Sequence, residues 1–272
     1  TDYVAAALKF ASGKRHGTSW STKTSGGFTT DQLITINELL PAMAMAFEIR
    51  LNRRIAKNLL NTYVGQRAGE AILNGNITRG SGDTVRAAIW NCDIRGFTQI
   101  SEKWPRDDVI SWLNDYFDAM AEPIANNKGE ILKFIGDGLL AIFPIDDGNE
   151  SCACELAFKA AIEAVANMRE LNAKRLEHDR SELGYGIAMH LGDVMYGNIG
   201  SRTRLDFTVI GPAVNASARL ERLTKELRRR VLFSGPFVEA CPCGVDQMVR
   251  LGSYELRGVA GAMDVYGLKD EG

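Results

Sequence analysis

Three stretches of the chain place polar side chains where an apolar pattern would otherwise continue. In WNCDIRGFTQIS (90–101) an apolar strand ends on Asp93, and Gly96 permits a tight turn before Thr98 enters a helix. Backbone N–H groups at such a strand-to-helix turn make a phosphate cradle, and a carboxylate beside it can hold the Mg²⁺ that phosphates bring. An Asp that merely caps the helix would look the same. In LKFIGDGLLAIFP (132–144) an apolar hairpin is interrupted by Lys133 and Asp137, two charges costly to desolvate. Asp between glycines is also an ordinary turn residue. If the two strands are neighbours, Asp93 and Asp137 end near each other. Two like charges about 4 Å apart repel by about 4 kcal/mol at an effective dielectric of about 20. A divalent cation removes that penalty, and two carboxylates can bridge a pair of metals. In LDFTVIGPAVNASARLERL (205–223), Asn215 and Arg219 are four apart and share one helix face. An amide and a guanidinium on one face suit a ribose and a phosphoryl oxygen, though a solvated face with an ion-pairing Arg carries the same residues.

These residues need a scaffold, and the pattern supplies one. A strand at VRAAIWNCDI leads to a helix across RDDVISWLNDYFDAMAEPIANN, then the hairpin GEILKFIGDGLLAIFP and a long helix ESCACELAFKAAIEAVANMRELNAKRL. Strands at LGYGIAMHL and VMYGNIG precede RLDFTVIG, which feeds the helix PAVNASARLERLTKEL, and QMVRLGSYEL and MDVYGL finish the chain. The order β-α-β-β-α-β with a further β-α-β predicts an α+β fold (an α/β sandwich). Its core is ferredoxin-like, an antiparallel sheet with helices on one face.

Upstream, residues 1–30 are rich in Ser, Thr and Gly and read as short strands and turns, the remnant of a preceding domain. Their composition and order are weakly similar to the end of a GAF-type sensor. A chain that opens TDYVAAALKF reads as a piece of something longer. Thr30 or Asp31 is placed to cap a long helix whose apolar positions Leu33, Ile36, Leu40, Met43, Phe47, Ile55 and Leu59 recur mainly at helical spacing. Pro41 is expected to kink or restart it. That face serves either a coiled-coil seam or packing on its own domain. NGNITRGSGDT (74–84) reads as the clearest boundary, giving a remnant at 1–30, a helical signalling linker at 31–78 and a catalytic domain at 79–272.

The 272 residues, 45% hydrophobic and 24% charged, are those of an ordinary globular protein, and a net charge of −2 gives no global field that favours nucleic acid. The longest apolar runs, such as LLPAMAMAF, fall short of a membrane span. Five cysteines in CAC, CPC and a lone Cys92 lack the spacing and histidines of a zinc site and suit reduced thiols in the cytoplasm.

CDIRGFT, LKFIGDGLLAIFP, MHLGDVMYGNIGS and DFTVIGPAVNASARLE together resemble the motifs of class III nucleotidyl cyclases, in order, from about residue 84 onward. The resemblance implies conversion of a nucleoside triphosphate, here ATP, to the 3′,5′-cyclic monophosphate and pyrophosphate. It implies two Mg²⁺ or Mn²⁺ ions on Asp93 and Asp137 with help from the Ile94 carbonyl, and a phosphate cradle at Arg95, Gly96, Phe97 and Thr98. Lys133 and Thr208 would read the base, Asn215 would orient the ribose and Arg219 would stabilise charge at phosphorus. Sites would form between two subunits arranged head to tail, with the aspartates from one and Lys133, Thr208, Asn215 and Arg219 from the other, so a homodimer has two. Lys133 with Thr208 is similar to the adenylyl pattern of class IIIb, some of whose members respond to bicarbonate. A guanylyl cyclase and a non-catalytic nucleotide-binding or dimerisation module remain as alternatives. Two positions depart from the pattern: Asp193 stands where some relatives carry Arg, and the late turn ELRGVAG offers only Arg257 for the terminal phosphate. His190 reads as a structural strand residue.

Overall fold

The computed structural model describes residues 1–146, 148–259 and 261–269. Its contacts divide the chain into two units, Thr1–Tyr63 and Val64–Gly272. In the first unit β1 (Asp2–Lys9) and β2 (Arg15–Thr22) form an antiparallel hairpin, followed by α1 (Thr30–Val64). The cap of α1 is Thr29, one residue before the positions expected. Its Oγ1 accepts from the Gln32 N–H at 3.3 Å while Gln32 Oε1 accepts from the Thr29 N–H at 3.0 Å, a reciprocal capping pair. Pro41 lies inside α1 without ending it. Leu8, Phe10 and Ala44 form a small core joined by Leu40, Met43 and Leu51. Glu48 accepts from the Ala11 and Ser12 N–H groups at 2.6 and 3.1 Å. Leu33, Phe47, Ile55 and Leu59 remain exposed.

The second unit opens with α2 (Gln66–Leu73), whose Arg67 lies 3.8 Å from the Glu130 carboxylate. Around one sheet are β3 (Gly82–Ile94), α3 (Phe97–Lys103), α4 (Arg106–Asn126), β4 (Glu130–Ile135), β5 (Gly138–Pro144) and α5 (Glu150–Glu177). They are followed by β6 (Tyr185–Gly200), β7 (Leu205–Ile210), α6 (Pro212–Glu226), β8 (Val231–Ser234) and α7 (Gly235–Glu239), and by β9 (Met248–Glu255) and β10 (Ala262–Leu268). The strand order is β4-β5-β3-β6-β8-β10-β9, with β7 paired to β6. Every pair is antiparallel except β6 with β8. The two segments expected as separate strands at LGYGIAMHL and VMYGNIG are one continuous strand, β6, and β8 and α7 are additional.

Helices cover both faces rather than the one expected. Ile187 and Met189 of β6 join Phe233 of β8 in the core beneath α4 and α5, whereas Ala188 and Leu232 between them pack under Leu220 and Leu223 of α6. Period-two alternation therefore puts α6 opposite α4 and α5. Close approach of β6 to α6 requires Gly192, where a Cβ would come within 2.6 Å of the Ala213 Cβ. No helix among the described residues is long and apolar enough to cross a membrane.

Candidate active site

Asp93 stands at the end of β3, between Cys92 and Ile94, which both point into the α4–α5 core. Alternation turns its carboxylate to the other face. β5 pairs with β3 so that Leu139 lies opposite Cys92, which brings the Gly136–Asp137 turn to Asp93. Gly138 makes the approach possible: a Cβ there would sit 3.0 Å from the Cys92 carbonyl oxygen and 3.5 Å from Asp93 Oδ1. Burial first, and then the neighbouring Asp137 charge with a hydrogen bond between the two carboxyls, push Asp93 up to about 6. Glu221 on α6 also faces this corner, and burial together with the Asp93 charge pushes its carboxyl up to about 7. Two adjoining carboxyls, one holding its proton unusually tightly, fit a divalent cation. Among the described residues no group of three or more His, Cys, Asp or Glu could hold one, so carbonyl, water or ligand oxygens must complete the shell.

The turn after Asp93 is held from the other side of the sheet end. The Arg95 N–H donates to the Gly184 carbonyl at 2.9 Å, and its guanidinium donates to the carbonyls of Thr224, at 3.1 Å, and Arg229. Arg95 thus braces the end of α6. Gly96 takes φ 74°, in the left-handed region, and starts α3, whose first N–H groups have no intrahelical acceptor. The Phe97 ring stacks on Trp112 at 5.7 Å, so only its backbone faces the turn.

Lys133 sits in β4, where the register slips between Ile131 and Lys133. Ile131 pairs with Ala141 on the α4–α5 side, and Lys133 pairs with Leu140 on the other side. The bulge at Leu132 thereby turns Lys133 over to the face of Asp93. Its Nζ donates to Asp206 Oδ2 of β7 at 2.8 Å, an ion pair between two strands that share no ladder. Thr208 is two residues further along β7 on the same face, 5% exposed, with a buried Oγ1 that has no hydrogen-bond partner among the described residues. The structure therefore brings Lys133 into the neighbourhood of Thr208's strand through a carboxylate that sequence reasoning passed over. Asp206 carried a signal, its i, i+2 relation to Thr208; Glu221 carried none.

Asn215 is exposed and Arg219 half-buried on α6; the Asn215 backbone N–H donates to the Gly211 carbonyl at 3.3 Å, and neither side chain makes a hydrogen bond or ion pair with another described residue. Arg257 is exposed in the turn after β9, flanked by Leu256 and Val259, which pack with Leu220 and Leu223 of α6. His190 is buried, 2.8 Å from Ser234 Oγ, and burial pushes its imidazole down to about 4, a neutral packing residue. Asp193 pairs with Arg86 at 3.2 Å. All five thiols are free, and burial pushes Cys154 and Cys241 up to about 12, far from a reactive thiolate.

Residues 82–270 match the family model for the adenylate and guanylate cyclase catalytic domain. The chain belongs to the class III nucleotidyl cyclases. It is 32% identical over 242 residues to an adenylate cyclase of Anabaena cylindrica, covering 86% of this chain and 47% of that protein. The chain thus spans about half the length of that curated relative. A solved bacterial light-regulated adenylyl cyclase matches with a TM-score of 0.66 at 26% identity, over 85% of this chain and 65% of that one. A solved guanylyl cyclase matches with a TM-score of 0.59 at 28% identity, over 69% and 93%. In this cyclase domain the matched region begins at β3 and includes every candidate residue named above.

Proposed function

We propose that this chain is an adenylyl cyclase that converts ATP to 3′,5′-cyclic AMP and pyrophosphate at sites shared by two head-to-tail subunits. The observation that carries the reading is the adjoining carboxyl pair Asp93 and Asp137 at the end of β3 and the β4–β5 turn. Family members use divalent cations. In this chain Asp93, Asp137 and the Ile94 carbonyl would hold two Mg²⁺ or Mn²⁺ ions, which supply activation of the ribose 3′-hydroxyl and neutralise triphosphate charge.

The remaining roles belong to side chains of the chain itself. Gly96, Phe97 and Thr98 present backbone N–H groups to phosphate oxygens. Lys133 donates to a ring nitrogen of adenine, and the unpaired Thr208 hydroxyl meets the exocyclic amino group. Asn215 orients the ribose through its amide. Arg219 places a planar, permanently charged fork against the phosphoryl oxygens, where negative charge grows in the transition state. Arg257 is the candidate for the terminal phosphate. Residues 1–30 are the remnant of an upstream module, 31–78 a helical linker that sets the geometry of the dimer, and 79–272 the catalytic domain, in the cytoplasm.

Purified protein given ATP or GTP with Mn²⁺ is expected to release cyclic AMP and pyrophosphate. Predominant cyclic GMP would favour the guanylyl reading, which the 28% identity to a guanylyl cyclase keeps open. No product from either nucleotide would leave a binding or dimerisation module. Asp93→Ala and Arg219→Ala, each inactive, are expected to regain partial activity when mixed, because a hybrid dimer holds one intact site. Absence of complementation would sink the shared-site arrangement.

A further inference from the structure

We propose that Arg95 is a positioning residue that locks α6 to the Asp93 turn of its own subunit. It thereby links the half-site that a subunit gives to one active site with the half-site it gives to the other. The inference rests on the shared-site reading given above, in which a subunit lends Asp93 and Asp137 to one site and Asn215 and Arg219 to the second. Within one chain the two sets meet at the end of α6. The Arg95 guanidinium donates to the Thr224 carbonyl at 3.1 Å and to the Arg229 carbonyl. Thr224 lies in the last turn of α6, where carbonyls lack intrahelical donors and a cation meets the negative end of the helix dipole. The Arg229 N–H reaches the same Thr224 carbonyl at 2.9 Å, so the guanidinium clamps both ends of the loop that closes the helix.

The sheet end holds the other side of this clamp. The Arg95 N–H donates to the Gly184 carbonyl at 2.9 Å, which fixes the start of the side chain. A Cβ at Gly184 would stand 3.1 Å from the Arg95 Cβ, so the stem passes over bare backbone. Two residues on, Gly186 pairs with Asp93, and a Cβ there would collide with the Thr224 hydroxyl. The end of α6 therefore rests on the rung that carries Asp93. Thr224 is five residues from Arg219, about 7.5 Å along the helix at about 1.5 Å per residue. Leu220 and Leu223 bury the turn between them, so this part of α6 shifts as one piece. A group that acts in the transition state tolerates little misplacement, and about 1 Å can cost about a hundredfold. Arg95 thus governs where Arg219 points without touching it. Its loss is felt at the site to which its own subunit gives no carboxylate.

The test uses hybrid dimers of the full chain, purified through two different tags and assayed with ATP and Mn²⁺. A hybrid of Asp93→Ala and Arg219→Ala subunits keeps one intact site. Its carboxylates come from the Arg219→Ala subunit and its guanidinium from the Asp93→Ala subunit. Arg95→Met, which keeps the stem and removes the donors, is then added to one subunit at a time. In the Asp93→Ala subunit it is expected to lower kcat about tenfold, with KM for ATP within about threefold. Arg95→Lys in the same subunit is expected to stay within about threefold of the starting hybrid, because an ammonium still donates to a terminal carbonyl. A loss seen only when Arg95→Met lies in the Arg219→Ala subunit would confine Arg95 to its own turn and overturn the inference. A merely structural cap would lower the melting temperature and leave kcat per hybrid dimer unchanged, which overturns it too. If Arg95→Met does not fold, Gly184→Ala in the Asp93→Ala subunit crowds the stem without removing a donor. It is expected to lower kcat about threefold, and an unchanged kcat there would overturn the inference. An inactive starting hybrid would instead remove the shared-site reading, and the Arg95 link with it.

Discussion

At the end of β3, Asp93 and Asp137 set two like charges side by side, and the fold provides no counter-charge that restores Asp93 to its ordinary range. Between β4 and β7, Lys133 and Asp206 set opposite charges 2.8 Å apart, satisfied within one chain. The first corner is built against its own electrostatics and is completed only by something that binds. The second is preorganised before anything arrives. Their exposure matches that difference: Asp93 is half-buried, so its charge has little water to fall back on, while the Asp206 side chain is 63% exposed and its ion pair is screened. Catalytic power is thus expected to depend on the strained corner and selectivity on the relaxed one.

The largest test of that contrast is Asp93→Asn. Losing a carboxylate proposed to hold the metal is expected to cut turnover on ATP and GTP equally, by about a thousandfold. The same substitution removes a buried like-charge contact, so the metal-free protein at neutral pH is expected to gain stability, by about 1–2 kcal/mol in thermal melts. Lower stability together with lower activity would mean that the pair is not strained. Lys133→Ala, at the other corner, is expected to act on purine preference and to shift the ratio of ATP to GTP turnover, because Lys133 is the proposed base reader.

pH gives the next effect. The Asp93 carboxyl keeps its proton to about pH 6 in the fold, against 3.8 for an ordinary aspartate. The unfolded chain therefore releases its proton first, and metal-free protein loses stability as pH rises through that window. Divalent cations compete with the same proton. The rise in melting temperature with Mn²⁺ is expected to be full near about pH 8 and to fade below about pH 6, roughly tenfold in affinity per pH unit. A Mn²⁺ effect that is flat from about pH 5 to 8 would place the metal elsewhere.

Gly138→Ala is the smallest change. Its Cβ would press on the Cys92 carbonyl at 3.0 Å and move the Asp137 turn away from Asp93. Turnover is expected to fall about tenfold and stability by about 1–2 kcal/mol, with the ATP-to-GTP ratio unchanged. A shifted ratio would show that the two corners are not separable.

Much of this molecule is legible from local pattern. The Asp93 turn, the GDG hairpin and the Asn215–Arg219 helix face each follow from period-two or period-3.6 spacing, and their order identifies the fold class and the family. What local pattern misread has physical causes. Thr29 rather than Thr30 caps α1 because Gln32 answers it reciprocally, and two threonines in a row look alike in sequence. Pro41, expected to kink or restart α1, lies inside one continuous helix, so no restart occurs there. Arg95, inside a phosphate-cradle motif, is spent on carbonyls more than a hundred residues away, a partner that no motif can display.

The sequence by itself determined which residues alternate along each strand and each helix, because those periods are properties of the backbone. It also determined the presence of a carboxylate pair, since two motif aspartates at strand ends need only adjacent strands to meet. Only the tertiary structure decided on which side of the sheet each side chain acts. A single extra residue at Leu132 reverses the alternation of β4 and delivers Lys133 to Asp206, and α6 takes the face opposite α4 and α5. A bulge is a two-strand event, set by how β4 and β5 share their hydrogen bonds, so it has no signature in the residues of β4 alone.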